Sequence, residues 1–587
     1  MVRPRACAGG GVGKATCKGR ELIGVGAGNL RKVPLVDGQM DPAALADMIA
    51  ADREAGAVPF LLVGTAGSVD LGLFDDLESL ADLAVDHGLW LHVDGAFGAE
   101  APRPVANNPE TPLTMALSFA DVDGDSHLDV ALGNWAAGWY RRIPGEESRN
   151  RVLLNPDGQL DGSHHRDLPG IPGETLSILF SDFDGDGQSD LIVGNDFDIP
   201  DYFYRGDGKG ALGMVTQPEG LIPHTTTTTM AVKVADLSND GSPEIYLAQI
   251  AGRSSGVSSR LRMQPLTKYC DAIQDPAAKS TCETNMAIKG WYKAGNSFDP
   301  SYAGRCQQMQ GRYREECKAM LIKDLAIQKR DASLCTLIPA KQRIPRAYCD
   351  LHFKPARTPK ADEVALSHPQ ILRSNVLLER QGDGFTDTAE THRLDVGGWS
   401  WDTKVADFDQ DGWQDVYIVN GTWVPNEVSP SNLFFHNSGG AGGFTEASQA
   451  FGLGDYLMTA AATRFDMDGD GDLDLVTHPV NGPLVVFRNT SQARGLTVAL
   501  EDLGGNRDGI GARLVLEMTD GSFQTREIQL GGGFMSFDAP RAHFGLGAAD
   551  TASALRIHWP AGGETRIEGP LDAGYLYRVR RAQPAAQ

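Results

Sequence analysis

The sequence predicts a mainly β chain of repeated small antiparallel sheets, with an α/β segment in front, a helical Cys-rich insertion and a separate β domain at the end. Three observations carry this. An acidic loop recurs five times, most plainly in RFDMDGDGDLDLVTH, and a strand-turn-strand block recurs about midway between loops. After Asn489, short runs alternate apolar and polar residues between glycine turns, the two-residue period of half-buried strands.

At 587 residues the chain is long enough for about four domains of roughly 150 residues. Its formal charge of −24 excludes nucleic acid as an expected partner, because phosphate binding needs a basic face. There is no run of about 18 apolar residues, so no transmembrane helix is expected. The opening stretch MVRPRACAGGGVGKATCKGRELIGVG is basic but lacks the apolar centre of a signal peptide.

Residues 1–100 form the first region, followed by a Pro/Asn linker at 101–113. PFLLVG reads as a buried strand, Asp75 to His87 as a helix with apolar residues at 77, 80, 81, 83 and 84, and LWLHVD as the next strand. This is a βαβ unit, which implies a parallel sheet. The blocks KVPLVDGQMD, VGTAGSVDLGLFDDL and LWLHVDGAFGA, in that order, closely resemble part of the large domain of pyridoxal-phosphate-dependent group II amino-acid decarboxylases. The resemblance implies that Asp94 pairs with the pyridinium nitrogen of pyridoxal phosphate, that Ala96 packs under its ring, and that His92 and Thr65 lie near it. It also implies a Schiff-base lysine further on, in a context that this chain lacks, so covalent catalysis has no ordinary route. The site reads as vestigial, with no catalytic residue. Three readings stay open for the segment: a working carboxy-lyase, a structural remnant, and the product of a gene fusion.

The acidic loops organise residues 114–252 and 370–490. In the first, second, fourth and fifth copies, aspartates stand at positions 1, 3, 5 and 9: Asp121, Asp123, Asp125 and Asp129; Asp182, Asp184, Asp186 and Asp190; Asp407, Asp409, Asp411 and Asp415; Asp466, Asp468, Asp470 and Asp474. The third copy is weaker, with Asp236, Asp240 and Glu244 but Ser238 at position 3. Ca²⁺ takes six to eight oxygens, and carboxylates at alternate positions of a tight loop converge on one point. An EF-hand needs a bidentate Glu at position 12 between two helices. Here position 12 holds Leu132, Val193, Leu247, Ile418 and Thr477, and the flanks VALG, LIVG, IYLA, VYIV and LVTH read as strands. These are therefore calcium candidates between strands. Five Ca²⁺ would offset the −24 by +10 and relieve self-repulsion.

First aspartates are 61, 54, 171 and 59 residues apart, so the third interval contains an insertion. The intervening blocks RNRVLLNPDGQL, DYFYRGDGKGAL, SNVLLERQGDGFTD and NLFFHNSGGAGGFTE give each repeat about four strands. Loops and blocks in phase resemble the FG-GAP/VCBS repeats of integrin-like β-propellers, whose Ca²⁺ loops join two strands of a blade. Five loops do not supply the seven blades usual for that family, which implies either degenerate blades or an incomplete propeller.

The insertion, residues 253–369, carries Cys270, Cys282, Cys306, Cys317, Cys335 and Cys349 among helical segments such as QGRYREECKAMLIKDLAIQKRDASLC. With no C-x-x-C pair and only His352 nearby, zinc is not expected; a disulfide-stapled module is, with 15 pairings open. Residues 491–587 contain GIGA at Gly509 to Ala512, HFGLG at His543 to Gly547, and a WP-x-G block at Trp559 to Gly562. These resemble the ASPIC/UnbV domain that follows VCBS repeats in the cartilage acidic protein family. His543 and Trp559 read as structural residues. The expected function is a non-catalytic, extracytoplasmic (periplasmic, outer-surface or secreted) calcium-binding scaffold that meets a protein or glycan through propeller loops. Disulfides and millimolar external calcium agree with that compartment, and the alternative is a pyridoxal-phosphate-dependent amino-acid decarboxylase.

Overall fold

The computed structural model describes residues 3–8, 30–36, 39–65, 75–94, 114–135, 145–250 apart from 159 and 198, scattered positions between 263 and 307, 311–353, 358–421 apart from 373, 428–502 apart from 441, 442, 456, 458, 480–483, 492 and 493, and 504–581 apart from 561. The chain divides into two compact units, Met1–Asn108 and Pro109–Gln587.

The first unit holds a four-stranded parallel sheet in the order Leu30–Lys32, Arg3–Ala8, Ala57–Thr65, Trp90–Asp94. Two helices accompany it, as the βαβ reading requires. Pro42–Glu54 starts with Pro at its first turn and Asp41 as N-cap, whose carboxylate accepts from the Ala43 and Ala44 amides. Leu77–Asp86 is capped by Asp76, which accepts from the Ser79 amide at 3.3 Å. Leu45 and Ile49 of one helix and Leu80 and Ala84 of the other enclose Leu62 of the central strand.

The second unit begins with five small antiparallel sheets in succession. Four have four strands, starting with Thr114–Ala120, Thr175–Ser181, Thr229–Ala235 and Ser400–Ala406; the fifth, starting with Thr459–Phe465, has three among the described residues. First strands of successive sheets lie against one another. The apolar runs after each acidic loop form the second strands, and their period of two explains why they are apolar throughout. Leu191 and Val193 face a core shared by sheets one and two, while Ile192 faces the core shared by two and three. Ile245 and Leu247 alternate in the same way with Tyr246 and Ala248, and Val416 and Ile418 with Tyr417 and Val419. The second, third and fourth sheets are thus layers packed on both faces, in a propeller-like array.

The Cys-rich insertion interrupts the third sheet between its second strand, Glu244–Gln249, and its third, Val376–Gln381, which still pair through Ile245 and Leu378. It contains helices Gly311–Lys329 and Arg343–His352. Disulfides join Cys306 to Cys317 and Cys335 to Cys349, and Cys270 is also disulfide-bonded. Cys282 lies outside the described residues.

The C-terminal region has two sheets, one of three strands built on Arg494–Glu501 and one of four built on Arg513–Met518. They share one core, in which Phe544, Leu514 and Leu516 are fully buried and Trp559 is 4% exposed. The sequence does not announce what the segment from Gln529 to Asp538 does. It leaves this region and crosses the first strands of all five sheets. The Leu530 carbonyl accepts from the Phe119 amide (3.1 Å), the Gly532 amide donates to Ile178 O (2.8 Å), and the Val232 amide donates to Gly532 O (3.0 Å). Further along, Lys404 Nζ lies 3.0 Å from Ser536 Oγ, and the Arg464 amide donates to Asp538 Oδ1 at 3.2 Å. Gly532 has φ +72°, and a Cβ there would lie 2.3 Å from Val232 O, so only glycine fits.

Candidate cation loops and their neighbours

Each acidic loop joins the first strand of a sheet to its second, and the second strand opens at the position-9 carboxylate: Asp129, Asp190, Glu244, Asp415 and Asp474. Positions 4 and 6 are left-handed in all five loops. Position 4 is Gly124, Gly185, Asn239, Gln410 or Gly469, and position 6 is Ser126, Gly187, Gly241, Gly412 or Gly471. Glycine serves most of these sites and Asn239 is a tolerated exception, whereas Ser126 and Gln410 carry the strain of a side chain at positive φ. The turn places each position-1 carboxylate under backbone amides. Asp182 accepts from Gly185 (2.8 Å) and Gly187 (2.9 Å), and Asp466 from Gly469 (2.7 Å) and Gly471 (3.2 Å). Asp121 accepts from Gly124 and Ser126, and Asp236 from Asp240 and Gly241.

In four loops, carboxylates at positions 1, 3 and 9 bring one oxygen each to within 4.8 Å of the others: Asp121, Asp123 and Asp129; Asp182, Asp184 and Asp190; Asp407, Asp409 and Asp415; Asp466, Asp468 and Asp474. The Asp236, Asp240 and Glu244 loop makes no such group among the described residues, in keeping with Ser238 at position 3. The position-5 aspartates lie outside these triplets. Asp125, Asp186, Asp240 and Asp411 each accept the amide two residues on at 2.7 or 2.8 Å, and Asp470 does so at 3.2 Å, closing an Asx turn. Asp411 instead joins Asp409 and His436 in a further group of three.

Burial and like charge act together on these groups. Burial, aided by neighbouring aspartates, pushes Asp129 up to about 7 and Asp190 to about 8. Glu244 rises to about 8 and Asp407 to about 7, also through burial first. Asp407 is 1% exposed and its Oδ1 has no hydrogen-bond partner, while Oδ2 accepts from Gly412 and Gly545. Such an oxygen is costly unless something positive meets it.

Several residues that the sequence reading passed over brace the loops from the end of the third strand or just beyond it. The amides of Asn155, Asn437 and Asn489 donate to Asp129, Asp415 and Asp474 at 2.8, 2.9 and 2.9 Å. Their side-chain amides reach the position-8 carbonyls of Leu128, Gln414 and Leu473. Aligning the strand-turn-strand blocks on these asparagines would have exposed the pattern. Asp121, Asp182, Asp236 and Asp407 also line a cavity of about 550 Å³ that contains Arg464, Arg526 and His543. His543 is not set up as a base: its Nε2 bonds the Gly471 carbonyl at 3.0 Å, and burial pushes it down to about 4.

In the first unit the backbone sets Thr65 opposite Asp94 and Val63 opposite His92 at the C-terminal ends of neighbouring parallel strands. The side chains of Thr65, His92 and Asp94, and the whole of Ala96, lie outside the described residues, as does the 101–113 linker.

Three family models match separate stretches of the chain. The pyridoxal-dependent decarboxylase conserved domain matches residues 7–102, the FG-GAP-like repeat residues 182–247, and ASPIC and UnbV residues 502–584. Human cysteine sulfinic acid decarboxylase is 45% identical over 82 residues, which are 14% of this chain and 17% of that protein. The 4-hydroxyphenylacetaldehyde synthase of Rhodiola rosea is 40% identical over 87 residues, 14% of this chain and 18% of that protein. The crystal structure of mouse CSAD in apo form matches at 31% identity and a TM-score of 0.17, covering 18% of this chain and 22% of that one. The chain therefore spans less than a fifth of the length of these curated relatives.

Proposed function

We propose that this chain, which joins FG-GAP-like repeats and an ASPIC and UnbV segment to a partial decarboxylase segment, is a calcium-binding, non-catalytic scaffold. The observation that carries the reading is the convergence of three carboxylates in each of four loops, the position-9 group buried in every one, with Asp407 Oδ1 left without a partner. All-oxygen donors at alternate positions suit a hard cation, and a divalent ion would turn mutual repulsion into attraction. Asp121, Asp123 and Asp129, and their counterparts in the other three loops, would hold it. Asp236, Asp240 and Glu244 offer a poorer site, and the position-5 aspartates could add a ligand through the oxygen not used in the Asx turn.

The compartment follows from the same chemistry. Disulfides Cys306–Cys317 and Cys335–Cys349 persist in oxidising surroundings, where calcium is also plentiful, so the protein works outside the cytoplasm. No described helix is long and apolar enough to cross a membrane. FG-GAP-like repeats suit an adhesion role, in which loops positioned by rigid sheets meet a protein or glycan. Pyridoxal phosphate has an incomplete home here. The matched region is 17% of the length of the human decarboxylase, and the lysine context that the family requires is missing from the sequence, so no reaction step is assigned to the cofactor.

Melting in calcium and in chelator tests the reading. An ion at 100 times its dissociation constant adds about 2.7 kcal/mol per site, so Ca²⁺ should raise the melting temperature by several degrees. Identical melting in both media would remove calcium from the account.

A further inference from the structure

One strand position repeats beside every loop. In each sheet the residue paired with position 10 of the loop is followed by a side chain directed by the same register: Leu154 after Leu153, Arg205 after Tyr204, Glu379 after Leu378, His436 after Phe435 and Arg488 after Phe487. Three of these meet the position-3 carboxylate. Arg205 Nε lies 3.0 Å from Asp184 Oδ2, His436 Nε2 lies 2.9 Å from Asp409 Oδ2, and Arg488 Nε lies 2.7 Å from Asp468 Oδ2. In the third sheet this ion pair is absent. The loop residue is Ser238 and the strand residue is Glu379, which pairs with His392 at 2.7 Å. In the first sheet the strand residue is Leu154, which offers Asp123 no charge.

We propose that this strand residue sets how tightly each of the four loops with converging carboxylates holds Ca²⁺, with the Leu154 loop tightest of the four and the Arg205 and Arg488 loops weakest; this rests on the calcium reading above. A guanidinium on the position-3 carboxylate occupies an oxygen that the ion would use, and it sets a fixed positive charge a few ångströms from a divalent cation. Both arginines are exposed, so solvent screens them, but a +1 charge facing a +2 charge still weakens binding by roughly tenfold. His436 holds its carboxylate by one hydrogen bond and grades the fourth loop between the extremes. These four loops then fill in sequence as calcium rises. In the fourth loop, the buried Asp407 Oδ1 without a hydrogen-bond partner leaves an oxygen free to meet a cation.

Calcium titration of the full metal-stripped chain, by calorimetry with ion counting in native mass spectra, tests this. The parent protein should show at least two affinity classes. Arg205→Leu and Arg488→Leu should each move one site to about tenfold tighter binding, and Leu154→Arg should move one the other way. Arg205→Gln, which removes the charge and keeps a polar side chain, should match Arg205→Leu, with circular dichroism confirming that all variants are folded. Isotherms that superimpose on the parent while ions still bind would overturn this proposal and leave the calcium reading standing. Absence of bound ions in every protein at millimolar calcium would overturn the calcium reading, and this proposal with it.

Discussion

His543 illustrates how a titratable side chain can be structural. It is 5% exposed, it donates to the Gly471 carbonyl, and burial holds its pKa near 4 against an ordinary value of 6.5. The folded state therefore keeps the ring neutral where an unfolded chain would protonate it. Its contribution is complete above pH 6.5 and is lost as pH falls towards 4, up to about 3 kcal/mol. The melting temperature should fall across that window, and His543→Gln should flatten this part of the profile. The sequence reading treated His543 as structural because its block holds no nucleophile or carboxylate, and its hydrogen bond agrees. The aspartates were legible for a similar reason: Asp-x-Asp-x-Asp with glycine between has few other uses. What could not be read was Arg205 or Arg488, because an arginine late in a strand looks like any exposed cation until the register shows which carboxylate it faces.

Among elements, the strands following the loops were legible because short apolar runs such as LIVG, IYLA and VYIV fit a layer packed on both faces. The placement of the insertion was legible only as an interval that was too long. That it opens the third sheet between its second and third strands follows from the pairing of Ile245 with Leu378, a contact that no local pattern encodes. The Gln529 to Asp538 segment was least legible, since LGGGFMSFD reads as a glycine-rich turn. Its glycines are explained by proximity: Gly531 would place a Cβ 2.5 Å from Ser118 Oγ, and Gly532 one 2.3 Å from Val232 O. Gly532→Ala should cost at least about 3 kcal/mol, from left-handed strain plus the clash, read as a lower urea midpoint. Lys404 anchors the far end of the segment. It is 1% exposed, 3.3 Å from both Asp402 and Asp538, and despite burial its charge, with Arg464 and Lys233, holds Asp538 near 2.

At the scale of the whole second unit, five sheets and a C-terminal β region share one hydrogen-bonded core segment. A chain truncated after Thr490 should lose the partners of Phe119, Ile178 and Val232 together, and should unfold at lower urea with a broader transition than the parent. The same feature bears on the order of events in the cell. Ser118 Oγ donates to Leu530 O across 412 residues of chain, so the first of the five sheets finds this partner only after those residues have been made. At roughly 5 to 20 residues per second, that is a wait on the order of half a minute with polar edges unfilled. A protein built in this way gains from a holding chaperone, or from export before folding, because the segment that ties the first strands of all five layers together is made after the layers themselves.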